Sequence, residues 1–132
     1  MIMGLNDNKR NYRYLDTFKF AIEGIRCSFI QEKNIRFHIF FSLFVVILAC
    51  FFSLNSFEWL FVLIAITGMV ILEMINTAIE RVVDLVTEDY HPLAKQAKDI
   101  AAGAVLIYAM LSVIIGMVIF IPKILPILLQ LF

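Results

Sequence analysis

Residues 59–85 read WLFVLIAITGMVILEMINTAIERVVDL, and this stretch decides the fold. From Trp59 to Leu72 it contains no charged residue, whereas from Glu73 onward it carries three acids, one amide and one arginine. An apolar run that begins at an interfacial tryptophan predicts a membrane-spanning helix. The helical pattern continues beyond the acids, so we predict that the helix extends past the membrane edge to about Val86.

The composition of the whole chain supports a membrane protein. Of the 132 residues 62% are hydrophobic, and the mean hydropathy is +0.92, whereas soluble globular proteins are roughly 45–50% apolar. A soluble domain of this size could not bury so much apolar surface, so we predict one membrane domain comprising residues 1–132. The formal net charge of zero argues against a basic nucleic-acid-binding module.

Further helices are predicted on both sides of the central span. Residues 13–31 carry apolar residues at helical spacing opposite a charged stripe, which is typical of an amphipathic helix in the membrane interface. Residues 31–38 predict a charged hinge. With two more apolar runs, the membrane helices are predicted at about residues 37–54, 59–86 and 92–121. The predicted fold is therefore all-α and integral to the membrane, with an N-terminal amphipathic interfacial helix and three transmembrane helices.

Turn residues predict where the last span begins and ends. Pro92 fits the first turn of a helix, with Asp89 or His91 near its cap. Pro122 and Pro126 have no backbone N–H, and we predict that they end this helix.

The distribution of lysine and arginine predicts the orientation in the membrane. Seven of the eleven basic residues precede residue 38, three lie within residues 81–99, and the turn at residues 55–58 has none. Because cytoplasmic segments carry the excess of basic residues, we predict that the N-terminus and the 81–99 loop are cytoplasmic. The acidic end of the central span and Glu32 then lie on that same side.

A row of polar residues on the central span is the candidate for chemistry. Its members fall within an arc of about 80° on an α-helix: Glu73, Asn76, Glu80 and Asp84. Carboxylates at membrane depth are costly unless they are paired or protonated, and a cation would relieve their mutual repulsion. Ligands that are all oxygen suit Mg²⁺.

Nearby side chains offer partners for phosphate, although other roles remain open. Lys98 supplies a positive charge and His91 a donor, but His91 is equally compatible with capping a helix. Lys95 is interpreted as solvated. An alternative is that Glu80 pairs with a neighbouring cation (Arg81, Lys95 or Lys98) in an interfacial network. The sequence contains neither of the usual glycine-rich phosphate loops.

Two segments carry a resemblance to a known family. Residues 73–84, EMINTAIERVVD, and residues 91–106, HPLAKQAKDIAAGAVL, resemble the prokaryotic diacylglycerol kinase family, in particular its undecaprenol kinase branch in Gram-positive bacteria. The resemblance covers roughly residues 13–121. It implies an enzyme of the bacterial cell membrane that transfers the γ-phosphate of MgATP to a lipid alcohol, either undecaprenol or diacylglycerol, with undecaprenol preferred by branch.

The resemblance also implies a homotrimer with active sites between subunits. Small residues on the last span agree with close contact between copies: Ala94, Ala97, Ala101, Ala102, Gly103 and Ala104. By position, the family's catalytic residues correspond to Glu73, as base, and Asn76. Its Mg²⁺ ligands correspond to Glu32 and Glu80. Its nucleotide contacts correspond to Arg13, Asp89, Tyr90, His91, Lys98 and Asp99.

Two other classes of function, a transporter and an anchoring subunit, are alternatives to a kinase. A small cation-coupled transporter also needs intramembrane carboxylates, but its acids should lie nearer the middle of the membrane. An anchoring subunit without chemistry needs no row of acids. The sequence therefore favours the kinase.

Overall fold

The computed structural model describes residues 14–87 and 89–130, which form four α-helices. These are α1 (Tyr14–Gln31), α2 (Lys33–Phe51), α3 (Ser56–Val86) and α4 (Pro92–Gln130). The last three are each long and apolar enough to cross a membrane. The prediction of an all-helical fold with three candidate spans after a shorter helix is confirmed. Arg13 lies outside the described residues.

The junction between α1 and α2 is much shorter than predicted. Only Glu32 interrupts the helices, with an extended backbone (φ −95°, ψ 119°), and α2 begins at Lys33, so the prediction of a charged hinge over residues 31–38 is wrong. The backbone remains satisfied, because the Glu32 N–H donates to the Ser28 carbonyl at 3.0 Å and the Arg36 guanidinium donates to the Ile30 carbonyl. The carbonyl groups at the end of α1 therefore have donors, and the charged residues after Glu32 form the first turns of α2.

The turn between α2 and α3 is closed at both ends by local hydrogen bonds. The Ser53 N–H donates to the Cys50 carbonyl at 3.1 Å and the Leu54 N–H to the Ala49 carbonyl at 3.2 Å, which is the Schellman pattern. Ser53 adopts φ 48°, the left-handed conformation that favours glycine. Leu54 and Ala49 are buried together behind the turn.

The first turn of α3 is capped reciprocally. Asn55 Oδ1 accepts from the Glu58 N–H at 3.0 Å, and Glu58 Oε2 accepts from the Asn55 N–H at 2.8 Å, which together form a capping box. Lys123 of α4 pairs with Glu58 Oε1 at 3.1 Å. This end of the molecule therefore ties α4 to α3 through one carboxylate.

The packing of α4 against α3 depends on a close approach at Gly68. The Tyr108 side chain lies over this glycine, so that a Cβ there would overlap the phenol. The Tyr108 hydroxyl donates to the Ile64 carbonyl at 2.7 Å. A polar group inside an apolar span is thereby satisfied.

Helix α4 is longer than predicted, and the prediction that prolines end it is wrong. The helix continues through Pro122 and Pro126 to Gln130. Each proline removes one i→i−4 hydrogen bond. Spanning helices nevertheless tolerate proline where neighbouring groups satisfy the freed carbonyls.

The length of α3 carries its acids across the membrane edge. Counted from Ser56, Glu73 lies about 26 Å along the helix, inside an apolar layer about 30 Å thick, whereas Glu80 lies about 36 Å along it. We call the end of the molecule that contains Glu32, the last turns of α3 and the first turns of α4 the charged end.

Candidate functional site

Three polar residues of α3 are buried within about one turn of one another. Glu73 is 4% exposed, and Asn76 and Thr77 are each 7% exposed. They are the buried polar or charged residues in the described part of the chain. Burying a carboxylate or an amide costs free energy that burying an apolar residue would not, so Glu73 and Asn76 indicate a use other than packing.

Asn76 and Glu80 are joined by a hydrogen bond along α3. Asn76 Nδ2 donates to Glu80 Oε1 at 3.0 Å. Asn76 Oδ1 is buried and has no hydrogen-bond partner within the described residues. The amide therefore orients one carboxylate oxygen and leaves a buried acceptor available to a ligand.

The nearby cations pair with acids other than Glu80, so the structure does not support the alternative in which one of them pairs with Glu80. Arg81 pairs with Glu32 at 2.7 Å. The other two cations also form ion pairs: Lys98 Nζ with Asp84 Oδ1, and Lys95 Nζ with Asp99 Oδ2, each at 2.5 Å. The interpretation of Lys95 as solvated is confirmed, because its side chain is 60% exposed even within this ion pair. Because residues three and four apart share a helix face, the Lys95–Asp99 bond follows from their spacing.

Arg81 connects three residues around the α1–α2 junction to α3. Besides Glu32, its guanidinium donates to Gln31 Oε1 at 2.9 Å and approaches Cys27 Sγ at 3.7 Å. Sequence reasoning considered Arg81 only as a partner of Glu80. The contact with Glu32 could not be read from spacing, since Glu32 lies at the α1–α2 junction and Arg81 lies in α3.

The α3–α4 loop brings the remaining candidates to the charged end. His91 Nδ1 accepts from the Leu93 N–H at 3.2 Å, and its carbonyl accepts from the Lys95 N–H at 3.0 Å. His91 therefore caps α4, as one of the two sequence interpretations expected. Asp89 and Tyr90 are exposed beside it.

The acidic side chains of the charged end are the candidates for holding a metal ion. In residues 14–87 and 89–130 no three His, Cys, Asp or Glu side chains converge as they would around a bound ion. The ligands expected from the sequence, Glu32 and Glu80, would both offer oxygen atoms, as would the unpartnered Asn76 Oδ1. The unpartnered Asn76 oxygen fits a hard cation such as Mg²⁺.

An apolar cavity of about 590 Å³ lies between α2, α3 and α4. It reaches Met69, which is buried one helical turn from Glu73 on the same face of α3. The Ser42 and Ser112 hydroxyls on its wall donate to carbonyls of their own helices, at 2.7 and 2.9 Å. The cavity therefore offers an apolar lining that ends close to the buried carboxylate. Its residues come from three helices, which is why the sequence did not predict it.

The fold and the site together define a small α-helical membrane protein with a buried acidic site near one end of its spans. The chain belongs to the prokaryotic diacylglycerol kinase family, whose model matches residues 19–120. Membership makes it an ATP-dependent lipid kinase. The expectation from residues 73–84 and 91–106 is thus confirmed at the level of the family.

Relatives in three bacteria show the range of names within the family. The undecaprenol kinase of Bacillus subtilis (strain 168) is 45% identical over 111 residues, which cover 84% of this chain and 90% of the relative. A diacylglycerol kinase of Synechocystis sp. is 39% identical over 112 residues, covering 84% and 64% of the two chains. The diacylglycerol kinase of Escherichia coli (strain K12) is 30% identical over 102 residues, covering 77% and 84%.

Proposed function

We propose that this protein is an undecaprenol kinase, which transfers the γ-phosphate of ATP to the hydroxyl of undecaprenol. The observation that carries the proposal is the buried pair Glu73 and Asn76. Glu73 lies one turn from Met69 of the apolar cavity, and Asn76 lies one turn from Glu80, to which it is hydrogen-bonded. The 45% identity to an undecaprenol kinase over most of both chains supports this substrate.

Glu73 is the proposed general base. Its carboxylate is buried inside the apolar part of α3, close to the cavity that would hold the lipid. The lipid hydroxyl oxygen attacks the γ-phosphorus, its proton passes to Glu73, and the bond from that phosphorus to the departing ADP oxygen breaks. A positioned base and ordered reactants account for most of what phosphoryl transfer requires of a protein.

Glu32 and Glu80 are the proposed ligands of Mg²⁺, with Asn76 orienting Glu80. When bound, the ion would supply positive charge against the nucleotide phosphates. The Asn76–Glu80 hydrogen bond at 3.0 Å supports this assignment, because it fixes one carboxylate oxygen and leaves the other for a cation. The free Asn76 oxygen supports it independently.

The nucleotide is proposed to bind at the charged end. The residues assigned to it are Arg13, Asp89, Tyr90, His91, Lys98 and Asp99. Lys98 and Asp99 are each held in an ion pair with another described residue, and the ammonium of Lys98 has further N–H donors that could contact a phosphate. The excess of basic residues near the N-terminus supports a cytoplasmic position for this end.

A homotrimer with sites shared between subunits is part of the proposal. Ala102 and Ala104 of α4 are exposed, and Gly103 has open space around its Cα. Small exposed residues on a spanning helix permit a second helix to approach closely. Cross-linking in membranes, compared between the natural chain and Gly103→Leu, would measure this assembly.

The test is a transfer assay with purified protein in micelles, Mg²⁺, labelled ATP and two lipid alcohols. We expect label on undecaprenol, with a higher kcat/KM than on diacylglycerol. Diacylglycerol is the second candidate substrate, favoured by the names of the Synechocystis and E. coli relatives. A higher kcat/KM on diacylglycerol would replace our choice, and absence of label on both lipids from folded protein would reject a kinase acting on them.

A further inference from the structure

Arg81 links the end of α3 to the α1–α2 junction. It follows Glu80 directly on α3, yet its guanidinium reaches the α1–α2 junction, where it contacts Glu32, Gln31 and Cys27. One NH₂ group donates to two acceptors, at 2.7 and 2.9 Å. The planar fork of arginine makes such multiple contacts directional, which the single ammonium of lysine does not.

Glu32 needs an external partner to hold a fixed orientation. It is the single residue between α1 and α2, and its side chain makes no capping hydrogen bond with α2. The side chain is 29% exposed, and a long side chain in water retains several rotamers unless a bond selects one. Among the described residues, Arg81 is the partner that forms this bond.

We propose that Arg81 is a positioning residue for Glu32: it fixes the end of α1 to α3 and holds the Glu32 carboxylate at the level of Glu80. The proposal rests on the proposed function, because it concerns Glu32 as a ligand of Mg²⁺. Arg81 bonds to Oε1, which leaves the second carboxylate oxygen for a cation. The carboxylates of Glu32 and Glu80 would therefore lie at the same height along the axis of α3 before the nucleotide binds.

Arg81→Gln is compared with Arg81→Lys and with Lys33→Gln, a matched control that removes one positive charge beside Glu32. The first readout is Mn²⁺ binding by electron paramagnetic resonance, which needs no turnover. We expect Arg81→Gln to weaken binding about five-fold, the upper range for a partly exposed ion pair. Arg81→Lys should recover part of the loss, and Lys33→Gln should bind as the natural protein does.

The second readout is kinetic. In Arg81→Gln the Mg²⁺ concentration for half-maximal activity should rise by the same factor, with the KM for lipid unchanged and the melting temperature within a few degrees. Unchanged Mn²⁺ binding would overturn the proposal. Tighter binding would also overturn it, by showing that Arg81 competes with the ion. If the natural protein labels no lipid, the proposed function fails, whereas the Mn²⁺ comparison still decides whether Arg81 positions Glu32.

Discussion

Asn76 and Glu80 are bonded across one turn of α3, with Nδ2 at 3.0 Å from Oε1, while the other amide atom of Asn76 is buried without a partner in the described structure. The two ends of one amide thus have different roles. One fixes a carboxylate, and the other is an acceptor that protein groups leave open. An amide can do both because it carries a donor and an acceptor on the same carbon.

Asn76→Ala should lower kcat by about 10–100-fold, the cost typical of losing a group that orients a metal ligand. Steady-state assays over a range of Mg²⁺ concentrations measure the loss, which should be accompanied by a higher Mg²⁺ requirement. Thr77→Val is the control, because Thr77 is equally buried but has no assigned role. A loss as large in Thr77→Val would show that the Asn76 effect is a packing effect.

Glu73→Gln should lower kcat by about 10²–10⁴-fold while ATP binding survives, because the amide cannot accept the hydroxyl proton. Turnover and equilibrium nucleotide binding are measured on the same preparation. Glu58→Gln is the matched control on α3, since Glu58 lies in its first turn and bonds to Lys123. That variant should lose stability rather than turnover. Loss of ATP binding in Glu73→Gln would reassign Glu73 to the metal.

Glu80→Gln should raise the Mg²⁺ concentration needed for half-maximal activity by about 10-fold or more, since a charged ligand becomes neutral. A Mg²⁺ titration at fixed ATP measures it. Glu23→Gln, an exposed acid on α1, controls for the loss of negative charge. An unchanged titration would contradict the assignment of Glu80 as a ligand.

Ser53→Gly should stabilise the protein by about 1 kcal/mol, because it removes the steric cost of a left-handed residue. Ser53 adopts φ 48° at the end of α2. Thermal unfolding in detergent compares it with Ser53→Ala, which keeps the Cβ and should not stabilise. Equal melting temperatures for all three proteins would show that the turn relaxes without cost.

Gly68→Ala should destabilise the chain by about 1–3 kcal/mol, the usual cost of overpacking. The added methyl would overlap the Tyr108 phenol and push α4 from α3. Gly24→Ala is the control, because nothing lies within 4 Å of a Cβ at that position. Thermal unfolding should separate the two variants, and similar melting temperatures would mean that Tyr108 moves freely aside.

The sequence predicted what depends on local periodicity. The four helices, the central row of acids and the start of α4 at Pro92 follow from apolar spacing and from proline chemistry. It failed where tertiary contacts override local signals. Pro126 did not stop α4, and the charged residues after Glu32 continued α2 because Arg36 and the preceding carbonyls satisfied the junction.

The site was predicted as a set of residues but not as a set of contacts. The row from Glu73 to Glu80 follows from the periodicity of one helix, and Glu73 and Asn76 within it are buried. The Arg81–Glu32 bond joins residues 49 positions apart, and the cavity joins three helices. Contacts of this kind depend on how the helices pack, which periodicity within one helix does not specify.

The connectors between the helices are one, four and five residues long, at residues 32, 52–55 and 87–91. Many phosphotransferases keep water from the transferred group by closing a flexible lid over it. Connectors this short leave little chain for a lid. In the proposed reaction, these connectors would leave protection from hydrolysis to other parts of the site, among them the lipid bilayer and the packed helices. If the bilayer gives this protection, hydrolysis of ATP without transfer to lipid should be measurable in detergent and absent in a membrane.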